Sequence, residues 1–473
     1  MASKTADASI DSQRTTDILI IGGGPAGIQA SRMLKIGRPE WDVTVLRPEP
    51  HSMVYCAIPY ALEGLFPADK TFKSDDLVTE VGANLLRLKA VRVDAKGHRV
   101  ELEDGSAISY DKLLIGVGAI PIRLPVPGAD LANVYTIKTG EDMLRLLERL
   151  NGGQDFDMAD SAAAVPEGLT AVVVGAGAIG LEQATAYRAR GAEVHLVELQ
   201  DRPLPLMLDS GSCSERVAEE ILKTGIHFHV GVSLEAMEGD DECEAVVLSD
   251  GTRIVLEPGR DFVVLAVGMK PEIDFLDLDL FEHQRDGLVV DSRMRTSVPD
   301  VWAAGDCTAY HSGIDGKPIG GKLATNAVPM AKVAAHDMMG MNAHHPGFFN
   351  GAVTVMGDLR IGGTGFTESF AAARGLEVFS TTAELPTRFP MMPGKGRIRV
   401  RLVFEEETLR LVGAQMAGPD AVAERIDILT LALQQSLTAV DLTQLSYSAQ
   451  PWQTFFPAKN VIVEAATAAL NGR

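Results

Sequence analysis

A chain of 473 residues has room for two to four domains with sizeable cores, and its 46 glycines and 5% aromatics suit an α/β enzyme rather than a disulfide-built module. A formal charge of -21 argues against non-specific binding to nucleic acid, whose phosphates such a surface repels. The opening "MASKTADASIDSQRTTD" lacks the apolar core of a secretory signal and no apolar run reaches membrane-spanning length, so no transmembrane segment and a cytoplasmic, reducing location are expected.

In chain order, "DILIIGGGPAGIQASRML" predicts a buried strand, a glycine turn and a helix, and "WDVTVLRPE" predicts the next strand. Such a unit places a diphosphate at a helix N-terminus, where free N–H groups meet negative charge. Gly22 permits the turn, Gly24 lets the backbone approach a pyrophosphate, and Gly27 allows close helix packing. The second strand ends in Arg47 where a ribose-binding acid is expected; either Glu49 takes that part after a bend, or a backbone group does.

"HSMVYCAIPY" then sets Cys56 in an apolar turn, and "PADKTFKSDD" brings Lys70 and Lys73, which either meet phosphates or are exposed loop charges. Residues 151–168, "NGGQDFDMADSAAAVPEG", read as a domain boundary with an exposed loop. "TAVVVGAGAIGLEQATAYRARGAEVHLVE" repeats the strand, turn, helix and strand over 170–198, with Gly175, Gly177 and Gly180 in the three glycine roles. Its last strand ends at Glu198, which either accepts from a ribose and, by disfavouring a 2'-phosphate, favours NADH, or is an ordinary solvated strand end, while Arg202 keeps NADPH open. "FVVLAVGMKPEIDFL" supplies another buried strand, "VPDVWAAGDCTAY" follows, and from about 350 a mixed sheet backed by helices predicts a third domain. Cys56, Cys213, Cys243 and Cys307 form no close pair, so neither a disulfide framework nor a metal site is expected.

The pieces "GGGPAG", "LLIGVGAIPIRLPVPG", "GAGAIGLE", "LAVGMKPE", "VWAAGDC" and "RLVGAQMAG", in that order, resemble the FAD- and NAD(P)-dependent pyridine nucleotide-disulfide oxidoreductase family along nearly the whole chain. The resemblance implies an α/β fold of two Rossmann-like dinucleotide-binding domains plus a C-terminal α+β dimerisation domain, in a homodimer. The boundaries expected are 15–150 for the first part of the FAD domain, 166–270 for the NAD(P)H domain, 271–345 for the returning FAD part and 350–473 for dimerisation. FAD falls to the first fingerprint, including Pro25, and to Asp306, NADH or NADPH falls to the second, and Gly118, Gly268 and Gly305 in the matching pieces are expected to bind cofactor. Glu182 either orients the nicotinamide or is a helix-surface carboxylate. Cys307 is expected as a packed small side chain.

No second cysteine lies near Cys56, and Ser52 precedes it by four residues. "SMVYC" therefore resembles the single-cysteine branch, which includes coenzyme A-disulfide reductases, NADH oxidases, NADH peroxidases and persulfide or polysulfide reductases. A lone thiolate there forms a mixed disulfide, a persulfide or a sulfenate, the bland alternative being a buried structural cysteine. Peroxide-using members carry a histidine where Pro25 stands, which turns the expectation away from peroxidase; His51 is either a proton source or a solvated surface group. In the C-terminal "SYSAQPWQTFFP", Ser448 aligns with a tyrosine that reaches the partner subunit's active site in relatives, and Tyr447, Tyr55 or Tyr60 is left to supply a phenol. With the chain ending in "AATAALNGR", no rhodanese-like module is expected after the third domain. The expected activity is NAD(P)H-dependent reduction of a small-molecule coenzyme A disulfide, persulfide or polysulfide, with coenzyme A as substrate or adduct. The alternatives are an NADH oxidase and a flavin electron-transfer protein serving a protein partner.

Overall fold

The structure, a computed structural model, describes residues 13–153, 158 and 165–472; the first twelve residues of the polar N-terminal stretch and most of the 151–168 segment lie outside the described residues. The elements that matter for the site are β1 (Gln13–Ile21), α1 (Pro25–Gly37), β2 (Val43–Leu46), α2 (Ile58–Glu63), β3 (Ala107–Ile115), β4 (Thr170–Val174), α3 (Ala178–Ala189), β5 (Glu193–Glu198), β6 (His227–Val230), β7 (Phe262–Leu265), β8 (Val301–Ala303) and β9 (Ala352–Met356). Among the described residues, no helix is long and apolar enough to cross a membrane.

The chain forms two compact units. One takes the residues up to Met53 together with Phe72–Ile120 and Lys270–Phe348. Its seven-stranded sheet runs Asn84–Leu86, β2, β1, β3, Arg99–Leu102, Ala90–Asp94, with β8 alongside β3. Strand β1 is central: Ile18–Ile21 pair in parallel with Val43–Leu46 on one side and with Lys112–Ile115 on the other. A parallel sheet covered on both faces calls for unbroken apolar runs, and Ile18, Leu19, Ile20 and Ile21 are all buried. Full burial of each such side chain contributes roughly 1.5–3 kcal/mol. Pro25 opens α1 at a position whose N–H has no helical partner anyway.

The other unit takes Val54–Thr71, Pro121–Met269 and the chain from Phe349 onward. Its five-stranded parallel sheet runs Val134–Tyr135, β7, β4, β5, β6, with β6 at the edge. β4, "TAVVV", is buried throughout, as the central strand of such a sheet must be. The C-terminal part is an antiparallel five-stranded sheet, β9 first, with the helices Val422–Gln434 and Val461–Asn471 packed on it. Asp209, in the loop after β5, ties that part to the parallel sheet: its carboxylate accepts the N–H groups of Glu368 (2.7 Å) and Ser369 (3.0 Å) and the Gln415 amide (2.6 Å). Short α2 lies on α3, where Arg190 donates to the carbonyl of Leu62 at 3.2 Å.

Candidate active site

The first glycine turn follows β1, where Gly22 takes φ +112°, a conformation that strains any side-chain-bearing residue. A Cβ on Gly27 would fall on the carbonyl oxygen of Gly22, so the helix closes onto the turn only with glycine there. Gly24 is the N-cap of α1 and brings no side chain to cap it, which leaves the first N–H groups of the helix to be satisfied from outside the helix. Pro25 is half-buried beside it. Gly118 and Gly305 sit in turns after β3 and β8, and Gly305 comes within 3.6 Å of Ala26 at the start of α1, measured from an added Cβ. Half-buried Asp306 follows, its carbonyl accepting from Lys322 Nζ at 3.3 Å. These turns gather at the carboxyl ends of the parallel strands, the usual ligand crevice of an open α/β sheet.

Arg47 is 2% exposed and held at two of its nitrogens: Nε donates to Glu49 O and Nη2 to Pro50 O, each at 3.0 Å, and Nη2 also reaches Asp75 Oδ1 at 2.6 Å. Asp75 also binds Arg87 at 2.5 Å. Burial pushes the Asp75 carboxyl up, but the hydrogen bond and charge of Arg47 outweigh it and hold the group below the usual range. Glu49 is exposed. Ser52 is buried, and its hydroxyl has no hydrogen-bond partner among the described residues. A buried hydroxyl of that kind calls for a partner from outside the protein.

The second turn repeats the steric plan. Gly175 takes φ +104°, its added Cβ would lie 2.5 Å from Ala266 O, and a Cβ on Gly180 would fall on Gly175 O. Gly177 differs. Its backbone is extended at φ -72°, and an added Cβ meets nothing within 4 Å, so neither conformation nor packing of the protein requires glycine. Open space there suits a ligand that comes against the backbone. Glu198, 7% exposed, accepts from Ala176 N at 2.7 Å and Gln200 N at 2.8 Å, which fixes the carboxylate under the turn. Arg202 is held by Leu208 O (2.8 Å) and Asp201 (2.6 Å). Gly268, after β7, accepts from Ile122 N at 2.9 Å.

All four cysteines are described and free, and Cys56 alone is exposed. Burial pushes the thiols of Cys213, Cys243 and Cys307 up to about 11, which keeps them protonated and unreactive. Cys56 sits in the 3-10 turn Tyr55–Ala57 that runs into α2. The ring of Tyr55 carries Lys138 Nζ 4.6 Å from its centre. Tyr60 donates to Glu182 Oε1 at 3.4 Å, and Thr354 on β9 donates to the same oxygen at 2.7 Å. Burial, then the Glu182 charge, pushes the Tyr60 phenol up to about 12, and burial raises the Glu182 carboxyl. The helix that follows the cysteine turn, the second fingerprint helix and the C-terminal sheet thus meet at one carboxylate.

Other expected residues take no part in these hydrogen bonds. His51 is exposed, its ring 5.4 Å from that of Phe72, and Lys70 is exposed beside Asp69 at 3.5 Å. Lys73 pairs across a short strand with Ser52. Tyr447 is exposed and donates to Pro457 O at 2.8 Å, and Ser448 is exposed. Sequence reasoning missed Asp75, Thr354 and Lys138; each lies far along the chain from the group it touches, and no local motif marks it.

Residues 16–335 match the family described as pyridine nucleotide-disulphide oxidoreductase, and residues 352–454 match that family's dimerisation domain. An NADH oxidase of Methanocaldococcus jannaschii is 30% identical over 448 residues, 92% of this chain and 94% of its own length. A CoA-dependent NAD(P)H sulfur oxidoreductase of Pyrococcus abyssi is 31% identical over 439 residues, 91% of this chain and 94% of its own. The solved NAD-dependent persulfide reductase from A. fulgidus superposes with a TM-score of 0.89 at 26% identity, covering 97% of this chain and 83% of that one.

Proposed function

The chain belongs to the pyridine nucleotide-disulphide oxidoreductase family, whose members are FAD-dependent NAD(P)H oxidoreductases, and on that premise we propose that it reduces a coenzyme A disulfide, persulfide or polysulfide through Cys56. The observation that carries this reading is the exposure of Cys56 while the other three thiols are buried. FAD, when bound, would supply an acceptor for hydride from NAD(P)H and an electron pair for sulfur. The uncapped N-terminus of α1, the Gly22–Gly27 turn, Gly118, Gly305 and Asp306 are the residues assigned to hold it, and the unpartnered Ser52 hydroxyl supports the fit.

Cys56 thiolate attacks one sulfur of the substrate S–S bond, forming a Cys56 mixed disulfide or persulfide and expelling the other sulfur as thiolate or sulfide. Two electrons and a proton then cleave the new S–S bond, release the second sulfur as thiol and regenerate the Cys56 thiolate. Tyr60, whose phenol stays protonated at neutral pH and is held by Glu182, is assigned a positioning part beside Cys56, with Thr354 fixing Glu182. Glu198 leaves carboxylate lone pairs for ribose hydroxyls and repels a 2'-phosphate, while Arg202 is occupied by Asp201 and Leu208; both favour NADH. The exposed C-terminal segment around Tyr447 and Ser448 is assigned to the partner subunit's active site in a homodimer, and free thiols suit a cytosolic location. A second reading, reduction of oxygen with Cys56 cycling through sulfenate, draws on the Methanocaldococcus relative.

Anaerobic NADH oxidation decides between them. Coenzyme A disulfide, coenzyme A persulfide or polysulfide is expected to accelerate it well above the rate without acceptor, and Cys56→Ser is expected to keep yellow FAD and its stoichiometric reduction while losing that acceleration. No acceleration by any of the three, or equal turnover in Cys56→Ser, overturns the reading; rapid NADH-driven oxygen uptake in air would instead favour the oxidase.

A further inference from the structure

β5 reads "EVHLVE" and β6 reads "HFHV", so Glu193 and His195 share one face of their strand, as do His227 and His229 of theirs. The strands pair in parallel with His195 opposite His227 and Val197 opposite His229, which brings all four polar side chains to the same side of the sheet. There they meet. Glu193 Oε1 lies 3.6 Å from His195 Nε2 and 3.5 Å from His227 Nε2, and the ligand atoms of the three residues all lie within 4.8 Å of one another. The rings of His195 and His227 stack with centres 4.7 Å apart, and His195 Nδ1 lies 3.0 Å from His229 Nε2.

Three imidazoles so close together cannot all be protonated without mutual repulsion, and neutral imidazole is the form that ligates metal. A tetrahedral ion with bonds of about 2.0–2.2 Å spaces adjacent ligand atoms by about 3.3–3.6 Å, close to the separations between Glu193 and the two histidines. With the His195 Nδ1 proton directed to His229, its Nε2 lone pair is turned toward Glu193 and His227, the outer-shell arrangement that orients ligating histidines.

We propose that Glu193, His195 and His227 form a three-ligand site for a divalent transition ion of the zinc class, with a fourth position open to water and His229 supporting His195. Imidazole with one carboxylate suits zinc better than calcium or magnesium. The site joins edge strand β6 to β5 at the start of β5, about 16 Å along the strand from Glu198 at its end. Its occupant therefore fastens the sheet edge and stays clear of the ribose acceptor.

The test is zinc titration of the full-length FAD-loaded protein against a chromophoric chelator, with melting temperature as a second readout. It is run in the Cys56→Ser background so that the reactive thiol cannot bind the ion. One zinc per chain and a higher melting temperature are expected, with affinity lowered at least about tenfold in His227→Ala and in Glu193→Gln, both exposed positions. Absence of saturable binding, binding undiminished in both variants, or zinc uptake only where Cys56 is intact overturns the proposal; the first outcome leaves a Glu–His hydrogen-bonded cluster in its place.

Discussion

Gly27 and Gly180 occupy the same place in two turns, and at each an added methyl group would collide with the carbonyl that opens its turn, Gly22 O in one and Gly175 O in the other. The strand ends beside those turns carry opposite charges. After β2 stands Arg47, spent on two carbonyls and Asp75; at the end of β5 stands Glu198, spent on two backbone N–H groups but with acceptor capacity to spare. The steric demands of the turn are thus met alike, whereas the neighbouring side chains serve different ends, one bracing its own loop and the other keeping acceptor capacity for the ribose proposed above. A shared fingerprint predicts the turn and says little about the residue after the second strand.

The comparison breaks most severely at the glycines. Gly27→Ala is expected to yield protein that purifies without yellow FAD, whereas Gly180→Ala is expected to keep FAD but resist reduction by NADH; absorbance spectra of the two, with and without NADH, read this directly. If both variants lose flavin, the turns are not independent. A smaller effect is expected at Glu198. Glu198→Ala loses charge-assisted hydrogen bonds worth about 1.5–3 kcal/mol, so KM for NADH should rise about tenfold or more relative to NADPH, and an unchanged ratio in steady-state kinetics removes its role. The smallest effect belongs to the brace. Asp75→Asn should lower stability at pH 7 by about 1.5 kcal/mol in denaturant unfolding. Because the Asp75 carboxyl is depressed in the folded protein, the wild type holds that advantage above the ordinary Asp value of about 3.9 and loses it as pH falls through the lower folded value, where the two proteins converge.

The turns were legible in the sequence because their requirement is local: a glycine and a second one five residues on, between an apolar strand and a helix. The mixed α/β architecture followed from the same repeats and from the changed pattern after residue 350. Arg47 could be read only as an anomaly, since Asp75, 28 residues away, carries no mark of the pairing. Tyr60, Glu182 and Thr354 are joined across 122 and 172 residues by the way α2 and β9 fall against α3, and packing of that range leaves no periodic trace. The histidine cluster was visible as E-x-H and H-x-H, but a search for zinc sites built from cysteine passes over it.

Burial of Cys213, Cys243 and Cys307 leaves an oxidised Cys56 without an internal resolving thiol. Whatever small thiol condenses with it stays attached until the enzyme is reduced. Intact mass of the protein taken straight from cells would then report the dominant thiol of its surroundings, written as an adduct at a single atom.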